Sequence, residues 1–261
     1  HGTCTFYGTA NSNQVVLEAL GLQLPGSSFI NPDNPLREVL TKEAAQQVCK
    51  ITSLGNDFRP VGRVVDERAI VNATVALLAT GGSTNHTMHL VAIARSAGIL
   101  MDWSDIADLS AVVPLMTRIY PNGQADVNHF HAAGGTSCLF RQLLSAGYMH
   151  PDAATVWGNT FADFVKEPFL DDHVLKWRES PSESYDETVL ASIDEPFAKE
   201  GGLRLMSGNL GRCIIKISAV AAEHRFVEAP IVVIEDQNDL QALFEKGELD
   251  RDCIVVVRYQ G

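Results

Sequence analysis

Through the first half of the chain, apolar residues recur at helical spacing, with glycines and prolines between the periodic stretches. Ala10 to Leu20 carries Val15, Val16, Ala19 and Leu20 along one side and stops at Gly21, which predicts a helix closed by a C-terminal glycine. Asn34-Pro35 predicts the start of a second helix, with Leu36, Val39, Leu40, Ala44 and Val48 on its apolar face. Asp66 to Thr80 is apolar almost all round at Val75–Ala79, the pattern of a central, buried helix, and Gly81-Gly82 ends it. Ser83 is then placed to cap a fourth helix, Thr84 to Ala97, closed by Gly98. Asp102 to Leu109 predicts a short helix, and Asp126 to Ala146 a helical pattern interrupted at Gly134-Gly135.

After about residue 165 the periodicity fades. Glu167-Pro168, Ser180-Pro181 and Glu195-Pro196 punctuate a polar stretch that reads as a linker or extended crossing segment. Beyond Gly201-Gly202 come β-type runs, Leu203–Met206, Ile214–Ser218, Ile231–Ile234 and Ile254–Arg258, with one helix, Asn238 to Lys246, among them. The expected class is α/β. A helix-rich region spans residues 1–165, a linker or crossing segment residues 166–200, and the start of a β-barrel-like domain residues 201–261. The chain opens without Met and stops just after a strand, so it is expected to be an internal piece of a longer protein.

Charge narrows the function classes. Against 20 Lys and Arg stand 32 Asp and Glu, a net charge of −12 over 261 residues. That balance argues against general nucleic-acid binding, which needs clustered cations, but leaves room for a small anionic ligand held by a few local groups. No apolar run approaches the ~18 residues of a membrane span, and no basic-then-apolar secretory signal opens the chain. The five cysteines, at 4, 49, 138, 213 and 253, form no CxxC. An odd, widely spaced set fits a reducing, cytoplasmic setting rather than a disulfide framework. Cys213 and Cys253 sit in strand-like runs and are expected in the core.

Three segments could carry chemistry. Cys4 lies in a Gly- and Thr-rich loop directly before a helix, whose positive end favours thiolate. A structural thiol, a redox or nucleophilic cysteine and a metal ligand all fit that pattern. Gly81-Gly82-Ser83-Thr84-Asn85-His86 gathers free amides and hydroxyls at a helix start, which suits an anion and exceeds what a cap alone needs. Asp126 to Gly135 ends in a second glycine pair and is a candidate cleft wall. The pairs His86/His89 and His129/His131 match no strong zinc pattern.

These residues carry a resemblance. Cys4 through Gln14, Leu24-Pro25-Gly26-Ser27-Ser28-Phe29, Gly81–His86, Ala133-Gly134-Gly135, Gly201-Gly202-Leu203, Gly208-Asn209-Leu210 and Val255–Gly261 resemble, in order, the dihydroxy-acid dehydratase and phosphogluconate dehydratase family. Cys4-Thr5-Phe6-Tyr7, where other branches have Cys-Gly-Gly-Met, and Ala219–His224 are closer to the phosphogluconate branch. The resemblance implies a cytoplasmic homodimeric hydro-lyase that eliminates water from 6-phosphogluconate to give a 2-keto-3-deoxy acid, in the Entner–Doudoroff route. It implies an iron–sulfur cluster, 4Fe-4S, as Lewis acid on the leaving hydroxyl, with a divalent metal such as Mg as a further cofactor. Cys4 matches one of three cluster thiolates. The other two, one in a Cys-Asp-Lys motif, the catalytic serine base and a metal-binding carboxylate belong to parts of the family pattern that this chain does not contain. Ser83, Thr84, Asn85 and His86 are the expected substrate-binding residues. Another sugar-acid or dihydroxy-acid dehydratase, or a non-catalytic anion-binding module, are the alternative readings.

Overall fold

The structure, a computed structural model, describes residues 4–260. His1–Thr3 and Gly261, the last residue of the Val255–Gly261 motif, lie outside the described residues. Contacts divide the chain into two compact units, the first ending at Ala219 and the second beginning at Val220.

The first unit is built around α4 (Glu67–Thr80). Asp66 caps it by accepting from the Ala69 N–H, and every residue from Asn72 to Thr80 is buried. Helices α1 (Thr9–Ala19), α5 (His86–Ser96) and α6 (Trp103–Ser110) pack against it. Leu77 and Leu78 are wholly buried, and each such side chain contributes about 1.5–3 kcal/mol over an exposed one. Both polar side chains at the middle of this helix are matched: Asn72 donates to the His150 carbonyl and accepts from the His150 N–H, and Thr74 donates to Ile70 O. Gly81, at φ 56°, closes α4. Its N–H donates to Leu78 O and that of Gly82 to Leu77 O, the paired bonds of a Schellman stop.

A second, smaller apolar cluster lies under α2 (Pro35–Ile51), capped by the Asn34 side chain. Leu36 and Leu40 join Leu24 and Ile30 there, against Leu170, Leu175 and Trp177. The predicted apolar face of this helix does not continue to its end, because Val48 is exposed. A single turn, α3 (Val61–Val64), precedes α4. The pattern interrupted at Gly134-Gly135 resolves into α7 (Val127–Ala132), capped by Asp126, and α8 (Gly135–Ser145). A last short turn, α9 (Phe161–Phe164), buries both its phenylalanines.

The polar stretch after residue 165 is more ordered than its periodicity suggests. β1 (Lys166–Asp171) and β2 (Val174–Glu179) form an antiparallel hairpin. Its two-residue turn, Asp172-His173, has both φ angles positive. Such primed turns normally announce themselves with Asn-Gly or Asp-Gly, and the missing glycine hid this one. The chain then crosses the first unit in extended form, with Leu190 bridged to Thr117 and Ala198 to Leu115.

β3 (Arg204–Gly208) and β4 (Gly211–Ile215) form a ribbon in which Met206 faces Cys213. Both are exposed, so Cys213 is not a core residue, and Cys253 is only half-buried. The expectation of burial fails because a two-stranded ribbon has no second layer over it among the described residues. In the second unit, β5 (Ile231–Ile234) and β6 (Ile254–Val257) are parallel, joined through α10 (Asp239–Glu245). The described residues thus combine helices with three two-stranded sheets and close no barrel. No helix among them is long and apolar enough to cross a membrane.

Candidate active site

The Cys4 loop and the Gly81–His86 segment, far apart in sequence, meet at the start of α1. Tyr7 is fully buried and donates its hydroxyl to Thr80 Oγ1 at 2.8 Å, at the end of α4. Its backbone N–H donates to Tyr120 O. Asn11, in the first turn of α1, donates from Nδ2 to the carbonyls of Cys4 (2.6 Å) and Phe6 (2.8 Å), which holds the loop against the helix. Cys4 itself is exposed, and its Sγ lies 3.8 Å from Phe6 O.

Residues 83–85 form a turn, and α5 starts only at His86, two residues later than predicted. Ser83 is not the residue at the helix boundary. The Schellman stop at Gly81-Gly82 leaves a turn before the next helix, and that turn is tied to α1. Ser83 N–H donates to Ser12 Oγ (3.2 Å), and Ser83 Oγ lies 2.9 Å from Thr9 Oγ1 and accepts from Asn85 N–H. Asn85 Nδ2 donates to Thr9 Oγ1 at 2.7 Å. His86 is 1% exposed, with Nε2 3.1 Å from Thr9 O. A carbonyl can only accept, so Nε2 carries the proton. Burial, with a smaller push from His89, lowers the His86 pKa against the opposing pull of Thr9 O. The ring is therefore neutral, and its buried Nδ1 has no partner among the described residues. Thr84 is the member of the group whose hydroxyl makes no hydrogen bond among the described residues.

The back of this region is a glycine crossing. A Cβ on Gly202 would stand 2.3 Å from Gly81 Cα, and one on Gly81 would stand 2.5 Å from Asn122 Nδ2. Asn122 donates to the carbonyls of Thr80 and Gly81 and accepts from Ser218 Oγ, so it joins three segments. The glycine pairs at 81–82 and 201–202 are thus, in part, one device for close backbone approach.

Sequence reasoning missed the support for two other motifs. Glu18, on α1, is fully buried. It accepts from Gly26 N–H (2.7 Å), Ser28 N–H (3.3 Å), Thr136 Oγ1 (2.9 Å) and, in a short bond, Ser28 Oγ. Burial pushes its pKa up, and the four donated hydrogen bonds oppose that. From the other side Arg37 donates to Ser27 O and Ile30 O. The loop Leu24–Phe29 and the Gly134-Gly135-Thr136 turn are therefore organised by one carboxylate. The available signal was a lone acid among the apolar residues of α1.

His86 and His89 share a face, with ring centroids 5.6 Å apart. His129 pairs with Asp126 at 2.8 Å on the exposed side of α7. Among the described residues no three His, Cys, Asp or Glu side chains converge as a metal site. Cys4 meets one requirement of a thiolate ligand, an accessible sulfur, but these residues alone do not complete a cluster site.

Comparison with known proteins agrees with this arrangement of motifs. Residues 1–164 match the dihydroxy-acid/6-phosphogluconate dehydratase N-terminal family and residues 188–261 its C-terminal counterpart. The chain is 58% identical to a phosphogluconate dehydratase of Pseudomonas aeruginosa and 57% identical to that of Escherichia coli K12, each over 260 residues. Its identity to a dihydroxy-acid dehydratase of Caldanaerobacter subterraneus is 32% over 262 residues. In all three the whole chain is covered, but it spans only 43–44% of the relative's length. On the family matches to both of its parts, the chain belongs to the dihydroxy-acid/6-phosphogluconate dehydratase family.

Proposed function

We propose that this chain is a segment of a 6-phosphogluconate dehydratase, a hydro-lyase that converts 6-phosphogluconate to 2-keto-3-deoxy-6-phosphogluconate. The observation that carries this reading is the contrast in identity, far higher to phosphogluconate dehydratases than to the dihydroxy-acid branch, along the whole chain. The enzyme is proposed to be cytoplasmic and homodimeric, with residues 1–165 in the cluster-binding domain and residues 201–261 opening a β-barrel-like domain.

In this reading Cys4 gives one thiolate to an iron–sulfur cluster, with the other ligands, the base and a divalent metal such as Mg supplied by other parts of the protein. When bound, such a cluster supplies a Lewis-acidic iron to a poor leaving group, hydroxide. The residues of this chain bind and orient. Thr84 offers a free hydroxyl to the hydroxy acid, and Asn85, whose Nδ2 is held by Thr9, offers the oxygen of its exposed side chain. Ser83 and His86 hold that turn on α1, beside the Cys4 loop, so they place the binding groups near the cluster ligand.

The test is anaerobic reconstitution of the intact protein with iron and sulfide, followed by visible spectra, iron content and turnover on 6-phosphogluconate, gluconate and a dihydroxy acid. A cluster spectrum with turnover of 6-phosphogluconate above the other acids is expected. Preference for another acid would move the protein to a sister branch, and no cluster with no turnover would leave an anion-binding module. Cys4→Ser is expected to lose most of the iron and nearly all activity, whereas Cys138→Ser, Cys213→Ser and Cys253→Ser keep the cluster. Normal iron in Cys4→Ser would remove the ligand assignment.

A further inference from the structure

We propose that Lys216 is the cation that receives an anionic end group, carboxylate or phosphate, of the substrate. The proposal rests on the dehydratase reading above for the identity of the acid, and on the structure for the residue.

Lys216 directly follows β4, and its backbone is held in place from both sides. Before it, Ile215 pairs with Arg204. After it, Ser218 donates from N–H to Gly202 O and from Oγ to Asn122 Oδ1, at the glycine crossing. Its Nζ lies 6.0 Å from the ring centroid of Tyr7, three residues along the loop from Cys4. The ammonium therefore stands where the Cys4 loop, the end of α4 and the 201–218 segment come together.

Its environment combines burial with the absence of a counter-charge among the described residues. With 32 acidic residues against 20 basic ones, carboxylates are plentiful. Exposed cations such as Arg68, Lys176 and Arg178 each have one in contact. Lys216 is half-buried, yet among the described residues no carboxylate lies within ion-pair distance of it. Its pKa is lowered from 10.5 to about 8, and burial is the cause. The Tyr7 ring face is partial compensation, since a cation near an aromatic ring gains little unless it is well centred. A desolvated amine without a counter-ion costs stability and returns it when an oxyanion arrives. Lysine suits this task as a compact point charge for carboxylate or phosphate.

The experiment uses the intact reconstituted enzyme. Lys216 is acetylated at mildly alkaline pH with an amine-reactive ester, and the modified peptide is quantified by mass spectrometry, with and without ligand. Whichever acid the enzyme turns over should slow labelling of Lys216 about tenfold, as expected for a charge-assisted contact. Gluconate alone will protect if the carboxylate is the partner, and inorganic phosphate alone if the phosphate is. In kinetics, Lys216→Met should raise KM about tenfold or more with a much smaller change in kcat, and Lys216→Arg should recover most of that loss. Thermal stability of Lys216→Met should hold or rise, the opposite of what removal of a purely structural contact does. Labelling of Lys216 that no turned-over acid slows, or an unchanged KM in a folded Lys216→Met enzyme, overturns the proposal. Failure to turn over 6-phosphogluconate while another acid both reacts and protects Lys216 rejects the substrate assignment and keeps the residue.

Discussion

α4 and the β5–β6 pair are both rich in apolar residues, the strands even more so, and their fates differ. In α4 every side chain of Val75–Ala79 is buried, because α1, α5 and α6 surround it. In the second unit Ile231 and Val233 are more than half exposed, and Phe226 and Phe244 more exposed still. Two parallel strands with one crossover helix cannot cover both faces, whereas parallel sheets are usually covered on both. An apolar run therefore predicts an element and its buried face only where a second layer exists to receive it. The polar groups show the same contrast. The first unit uses polar side chains as joints between segments, the buried Glu18 and Asn72 and the half-buried Asn122, and the second has no comparable joint among its described residues.

If the first unit depends on such joints, removing one should have the largest effect. Glu18→Ala strips four donors of their acceptor and opens a gap under the Leu24–Phe29 loop. A loss of about 3–5 kcal/mol is expected, read by denaturant unfolding of the intact protein. A loss below about 1 kcal/mol would mean that water replaces the carboxylate and that the joint is dispensable. Next in size is Gly202→Ala. The added methyl meets backbone rather than a yielding side chain, so about 1–3 kcal/mol should be lost, and the melting temperature will show it.

A smaller effect distinguishes Lys216. Its pKa is about 8 in the folded protein and 10.5 when unperturbed, so between those values the unfolded chain binds more protons. Stability contributed by this group should then rise as pH goes from about 8 towards 10.5. Lys216→Met should remove that rise, in melts run across the window. The smallest change is expected in the second unit: Val233→Thr and Phe244→Ser should shift stability by no more than about 0.5 kcal/mol. A cost above about 2 kcal/mol at either site would show that these faces are covered in the intact protein, and the contrast between the regions would then belong to the segment alone.

The candidate site was legible in parts. The Cys4 loop and the Gly81–His86 turn stand out because their residue types are unusual for simple connections. Which groups are free was not legible: Ser83 and Asn85 look equivalent to Thr84 in the sequence, yet both are tied to Thr9. Tyr7, Asn122 and Lys216 carry no local signal, since each matters through a partner from another segment.

By itself the sequence determined where several helices begin or end, though not the start of α5. Asn34-Pro35, Asp66, Asp126 and Gly81-Gly82 act on the backbone groups beside them, and caps and stops need nothing distant. Only the tertiary structure decided the rest: that Glu18 holds a loop and a turn, that Gly81 touches Gly202, that Cys213 stays in solvent and that Lys216 lies beside Tyr7. Burial, desolvation and close approach arise between segments brought together by packing, and a one-dimensional pattern does not encode which segments those are.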